Sequence, residues 1–197
     1  MVDTLGSRYR VPGPAFPPTG RRWGVGTWAL GCVLLVAGCV PGDGEGPRTG
    51  QVGGARPELA APRLGAEGDS LALADLQGRP YVLNLWATWC PPCRAETPYL
   101  QSLYEEFSPR GLEMVGITVD NRGALDQARD FLDEAGVTYI QLHDPGMRSM
   151  DLLSVLGLPA TWVVDSEGVV RFARNGPVME GDPAFEGAIE DAVEGTP

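Results

Sequence analysis

Tyr81-Val82-Leu83-Asn84-Leu85-Trp86-Ala87-Thr88-Trp89-Cys90-Pro91-Pro92-Cys93 is the stretch that decides how this chain folds. A short, nearly continuous apolar run of strand-forming residues reads as a strand buried on both faces. Two cysteines one helical turn apart follow it and open a helix. Thiols at this spacing can close a small disulfide, so a pair of electrons can enter and leave without a change of fold. At a helix start the Cys90 sulfur lies against unpaired N–H groups and the positive end of the helix dipole, which favours thiolate over thiol. Cys90 is therefore expected to attack, and Cys93, one turn further in, to resolve the mixed disulfide. Pro91 and Pro92 suit a first turn, where N–H groups lack partners anyway. They also remove two donors to a thiolate, which points to a reductant or a moderate oxidant.

A zinc site is the competing use of such a pair, and it needs two more sulfur or nitrogen ligands at similar spacing. The other candidates are Cys32 and Cys39, in a different segment, and the single histidine, His143. No metal and no cofactor are expected.

The segment holding those two cysteines bears on the compartment. Trp23 to Val40 is almost wholly apolar, follows Arg21-Arg22, and ends in small residues around Cys39. This is the layout of a secretory signal. Val36-Ala37-Gly38-Cys39 resembles a bacterial lipobox, in which cleavage leaves a lipidated cysteine at the N-terminus. An uncleaved membrane anchor and a twin-arginine export signal are the alternatives. Residues 1–38 are thus expected to be a signal peptide, residues 39–57 a flexible glycine- and proline-rich linker, and residues 58–195 the folded domain. Cys90 and Cys93 would be the only thiols of that domain.

All 15 cationic residues are arginine, and the net charge is −11. Removing the leader, which carries +3, leaves about −14. Such acidity argues against a nucleic-acid partner and against adsorption to anionic lipid.

Along the domain the pattern alternates strand and helix. Strands are expected at 70–74, 81–87, 112–119, 137–142, 161–164 and 169–173. Helices are expected at about 92–107, with Pro98 inside, at 124–135, at 147–156 and at 183–193. The class is α/β: a central mixed sheet flanked by helices, parallel in its βαβ portion and antiparallel at its late hairpin.

With these elements placed, Trp86 to Glu96 resembles the active-site segment of the TlpA/ResA-like branch of the thioredoxin superfamily, a redoxin-type branch close to AhpC/TSA proteins. The resemblance covers about residues 58–194 and implies a thioredoxin-like fold with a strand-helix insertion at Leu112 to Leu142. It implies that Gly157-Leu158-Pro159-Ala160-Thr161 is a loop with a cis-proline beside the cysteines, presenting backbone to substrate. Trp89, Pro91, Leu158 and Pro159 are then the substrate-contacting residues. In ResA-like proteins a glutamate at the place of Glu96 accepts the proton of the resolving cysteine; on that resemblance the catalytic set is Cys90, Cys93, Glu96 and Pro159. Plain thioredoxin carries a buried aspartate where this chain has Asn84. His143 has no counterpart in the family's site and is expected to be a packing or surface residue.

The implied function is that of a membrane-tethered, extracytoplasmic thiol-disulfide oxidoreductase reducing disulfides of exported proteins, with apocytochrome c one candidate. It would receive electrons from a membrane donor and be held by lipid on Cys39. The alternatives are a peroxiredoxin-like peroxidase and a copper-delivery protein of the Sco kind. The first normally has Thr-x-x-Cys, whereas Thr88 stands two residues before Cys90. The second needs Cys-x-x-x-Cys and a placed histidine.

Overall fold

The computed structural model describes residues 49–66 and 68–195. The expected signal peptide, Cys39 and the first part of the expected linker lie outside the described residues. No helix among the described residues is long and apolar enough to cross a membrane.

A five-stranded sheet is built around β3 (Tyr81–Trp86), whose six residues are all buried. The other strands are β4 (Glu113–Thr118), β5 (Ile140–His143), β6 (Ala160–Val164) and β7 (Val170–Asn175), in the order β5-β4-β3-β6-β7. β3 and β4 run parallel, as do β4 and β5, while β3–β6 and β6–β7 are antiparallel. The helices are α1 (Pro91–Phe107), α2 (Leu125–Glu134), α3 (Arg148–Leu153) and α4 (Pro183–Glu194). The expected mixed sheet is therefore the one observed.

Alternation along β3 splits the core. Leu83 and Leu85 pack with Val115, Ile117, Trp162 and Val164 on one face, beside Leu73 and Leu76. Val82 packs on the other face with Leu100 and Phe107 of α1 and with Phe185 and Ile189 of α4. A third cluster lies at the carboxyl end of β3, where Trp86 and the two cysteines meet Ala128, Phe131 and Leu132 of α2.

Two expectations are corrected, and one strand was not foreseen. The strand expected at 70–74 stops at Ala72, and Leu73–Leu76 is a turn of 3-10 helix whose start is held by Ala72 N–H donating to Asp75. The unforeseen strand is β1 (Ala60–Pro62), too poor in branched residues to read from sequence, which pairs antiparallel with β2 (Ser70–Ala72). The end of the expected linker is laid on the domain. Trp162 Nε1 donates to the Gly50 carbonyl at 2.9 Å, Gly53 N–H donates to Val170 and Arg56 N–H to Gly168. Glycine here serves turns rather than looseness, since Gly50 and Gly53 have φ of +77° and +82°.

Phe185 is fully buried between Tyr99 and Phe172, its ring centroid 6.4 and 5.2 Å from theirs. Phe185→Ala should lower unfolding free energy by about 3–5 kcal/mol, because the lost transfer energy is compounded by a cavity between α4 and the sheet. Urea unfolding followed by tryptophan fluorescence measures this. A loss under about 1 kcal/mol would mean that α4 is not part of the core.

Candidate active site

β3 delivers the chain to Ala87-Thr88-Trp89, and Cys90 then caps α1. Its backbone is extended (φ −100°, ψ 100°), and its sulfur accepts the Cys93 N–H at 3.3 Å. Pro91 and Pro92 fill the first turn, where no N–H partner is forfeited. Cys90 and Cys93 are joined in a disulfide, S–S 2.02 Å. Cys93 is wholly buried, and only Cys90, at 4%, has any surface. Trp86, Ala87, Val119, Phe131 and half-buried Leu158 surround the pair with apolar atoms. Arg94 lies 4.2 Å over the Phe131 ring, covering this cluster from the solvent side.

Glu96, three residues beyond Cys93, is buried on the same helix. Residues at this separation lie on neighbouring turns of one helix face. Its carboxyl accepts two hydrogen bonds: Asn84 Nδ2 donates to Oε1 at 2.8 Å, and Val178 N–H donates to Oε2 at 2.9 Å. Asn84 also donates to Thr161 Oγ1 at 3.0 Å, so its amide joins α1 to β6. Burial pushes the Glu96 pKa up to about 7, and the Val178 and Asn84 hydrogen bonds only partly offset it.

Asp120, a residue the motif does not reveal, fixes the loop before Cys90. Fully buried just past β4, it accepts Thr88 N–H at 2.9 Å, Thr88 Oγ1–H at 2.9 Å and Thr118 Oγ1–H at 2.7 Å. An acidic residue beyond the carboxyl end of the strand next to β3 was its available signal, since loops at that sheet edge form sites in α/β proteins. His143 is buried rather than at the surface, with Nε2 donating to the Asp120 carbonyl at 2.9 Å.

The second loop is likewise tied in. The Leu158–Pro159 peptide is cis, and the Pro159 carbonyl accepts Gly176 N–H at 2.8 Å. Leu158 touches the cysteine cluster, and Pro159 is buried. Trp89 (60%) stands exposed on the motif loop, as does Pro91 on the first turn of α1. Cys39 lies outside the described residues.

The profile of the AhpC/TSA family matches residues 52–173, well over half of the chain. The chain belongs to the AhpC/TSA family. Among similar proteins, the thiol-disulfide oxidoreductase ResA of Oceanobacillus iheyensis is 36% identical over 124 residues, covering 61% of this chain and 63% of that protein. The thiol:disulfide interchange protein DsbE of Vibrio cholerae is 36% identical over 129 residues, 64% of this chain and 66% of its own. The chain thus spans slightly less than two thirds of these relatives. A secreted thiol-disulfide isomerase from Corynebacterium glutamicum superposes with a TM-score of 0.62 at 27% identity, covering 73% of this chain and 86% of that one. The fold of this AhpC/TSA family member is thioredoxin-like.

In this family member the raised pKa makes folding sensitive to pH. Folded Glu96 holds its proton up to about pH 7, whereas the unfolded group releases it near 4.5. The stability this contributes is therefore complete below about pH 4.5 and is lost as pH rises through about 7, a loss of order 3 kcal/mol. Urea unfolding of oxidised wild type and Glu96→Gln between about pH 4 and 8 isolates it. The wild-type value minus that of the variant should fall with pH; a difference flat across the range would show that Glu96 titrates normally.

Proposed function

We propose that this domain is a thiol-disulfide oxidoreductase that reduces disulfides of exported proteins outside the cytoplasm, with apocytochrome c before haem attachment as one substrate. The observation that carries the proposal is a Cys90–Cys93 disulfide at a helix start, with its inner sulfur buried and a buried carboxyl of raised pKa on the same helix face. ResA, DsbE and the secreted isomerase carry thiol-disulfide chemistry in their names, which supports the same class.

In the reducing direction the protein begins as the dithiol. The Cys90 thiolate attacks one sulfur of the partner disulfide; a new S–S bond forms, the old one breaks, and the partner's other sulfur leaves as thiolate. Glu96 takes the proton of Cys93, whose thiolate attacks Cys90 Sγ. The second partner sulfur departs, and the Cys90–Cys93 disulfide remains, two electrons having passed to the partner. A carboxyl with pKa about 7 suits that transfer near neutral pH, being available both to hold and to release the proton. Trp89 and Pro91 on one side, with Leu158 and Pro159 on the other, would bear against the substrate backbone around the reacting sulfur. A membrane electron donor would restore the dithiol, and lipid on Cys39 would hold the domain at the outer face of a membrane.

Cys93→Ser should stop the cycle at its midpoint, with Cys90 bonded to its substrate. Non-reducing gels of cells carrying this variant should show mixed disulfides that vanish in the Cys90→Ser, Cys93→Ser double variant. Mass spectrometry of the trapped species would name the substrates. Apocytochromes among them would support haem-protein maturation, and a variant that traps nothing while wild type turns over a model disulfide would sink the mechanism.

For the anchor, labelled fatty acid should enter the wild type and not Cys39→Ala. Equal incorporation in both would remove the lipid from the proposal.

A further inference from the structure

The ten arginines of the described domain are not distributed evenly. Arg56, Arg79, Arg110, Arg171 and Arg174 each lie within ion-pair distance of a carboxylate. Arg94 stacks on Phe131. The remaining four, Arg63, Arg122, Arg129 and Arg148, all line one open cavity of about 430 Å³. That volume falls within the range of sites that take small ligands or short chain segments.

The cavity's charges are unbalanced. Arg63 pairs with Asp69 at 3.1 Å and Arg129 with Asp126 at 3.0 Å, but the Asp126 side chain is 93% exposed, so that pair is weak. Arg122 and Arg148 have no acidic partner among the described residues. Among the described residues the one acid in the lining is Asp144, which already accepts the N–H and hydroxyl of Ser149, each at 2.7 Å. In a chain of net charge −11, where carboxylates are in excess, two unpaired guanidinium groups on one concavity form a local inversion of sign. Guanidinium groups match carboxylates in a planar two-point geometry.

The position matters as much as the charge. His143, in the lining, donates to the carbonyl of Asp120, the residue that holds Thr88 two positions before Cys90. Leu64, also in the lining, packs against the cysteine cluster. The cavity therefore adjoins the structure that supports the reacting sulfurs.

We propose that this cavity is a docking site for an acidic segment of the redox partner, whose aspartate or glutamate carboxylates pair with Arg122 and Arg148. This rests on the oxidoreductase function proposed above and adds a class of partner to it. Charge complementarity would speed encounter and confer preference among partners more than it would raise the rate of sulfur exchange.

The test uses the full-length oxidised protein and a short cysteine-free peptide rich in Asp and Glu, with its Asn and Gln counterpart as control. Backbone amide shifts are followed by NMR. The acidic peptide should move Gly65, Arg122 and Gly146, the control should not, and added salt should weaken binding. The Arg122→Ser, Arg148→Ser double variant should lose about tenfold in affinity while reducing a small aromatic disulfide at the wild-type rate. Equal behaviour of the two peptides would overturn the proposal, as would inorganic phosphate moving the same amides when the acidic peptide does not. Turnover of the small disulfide without peptide binding would overturn the docking site alone. Peptide binding without turnover would overturn the redox function and, with it, the partner's identity.

Discussion

The hydrogen bond from Asn84 to Glu96, 2.8 Å long and closed off from water, is the constraint on which the site depends. Asn84 lies in the middle of a strand buried on both faces, and Glu96 lies on the helix that begins at the cysteines. A polar pair in such a place is costly unless each group is satisfied, and here the remaining valences find Thr161 and Val178. The bond thus sets the rotation of α1 about its axis, which sets where Cys93 points. It also draws the loop at Val178 against the helix, and that loop's Gly176 holds Pro159.

Around this polar link the sulfurs have an apolar seat. Trp86 and Phe131 meet with ring centroids 5.5 Å apart, and Val119 and Leu132 complete the enclosure. Water is excluded from Cys93, so a thiol there could not give its proton directly to solvent. Asp120 does a different task at the rim. It holds the loop backbone at Thr88, so that the helix start, with its oriented N–H groups, is presented in one geometry.

The elements that pack hydrophobically were legible in the chain. Tyr81 to Trp86 read as a buried strand because every residue but Asn84 is apolar, and α1 read correctly because Cys-Pro-Pro-Cys marks its start and Pro109-Arg110-Gly111 its end. The pairing of Ala60–Pro62 with Ser70–Ala72 was not legible, because short strands of small residues owe their form to the core beneath them, not to propensity. The seating of Gly50 to Arg56 was hidden for a related reason. Several of its hydrogen bonds reach residues more than 100 positions away, Val170 and Trp162 among them, and composition alone reads such a stretch as loose chain. Of the site, Cys90, Cys93 and Glu96 followed from spacing and resemblance. Asp120 did not, because its partners come from the loop after β3 and from β4, and only the sheet order joins them.

That the central strand places an amide, Asn84, rather than a carboxylate beside Glu96 has a chemical consequence. Two carboxyl groups at this separation would share one proton, and the pair would titrate in two steps belonging to neither. An amide cannot titrate, and its nitrogen donates to both Glu96 and Thr161, so Glu96 is the one carboxyl in this group of three hydrogen-bonded side chains. The donated bond favours the charged form of Glu96, burial disfavours it more strongly, and the balance near 7 places both forms within reach at neutral pH. A second acid on β3 would have pushed one carboxyl far from neutrality and left it idle. Asn84 instead leaves Glu96 as a buried carboxyl poised between its two charge states, on the helix that begins at the cysteines.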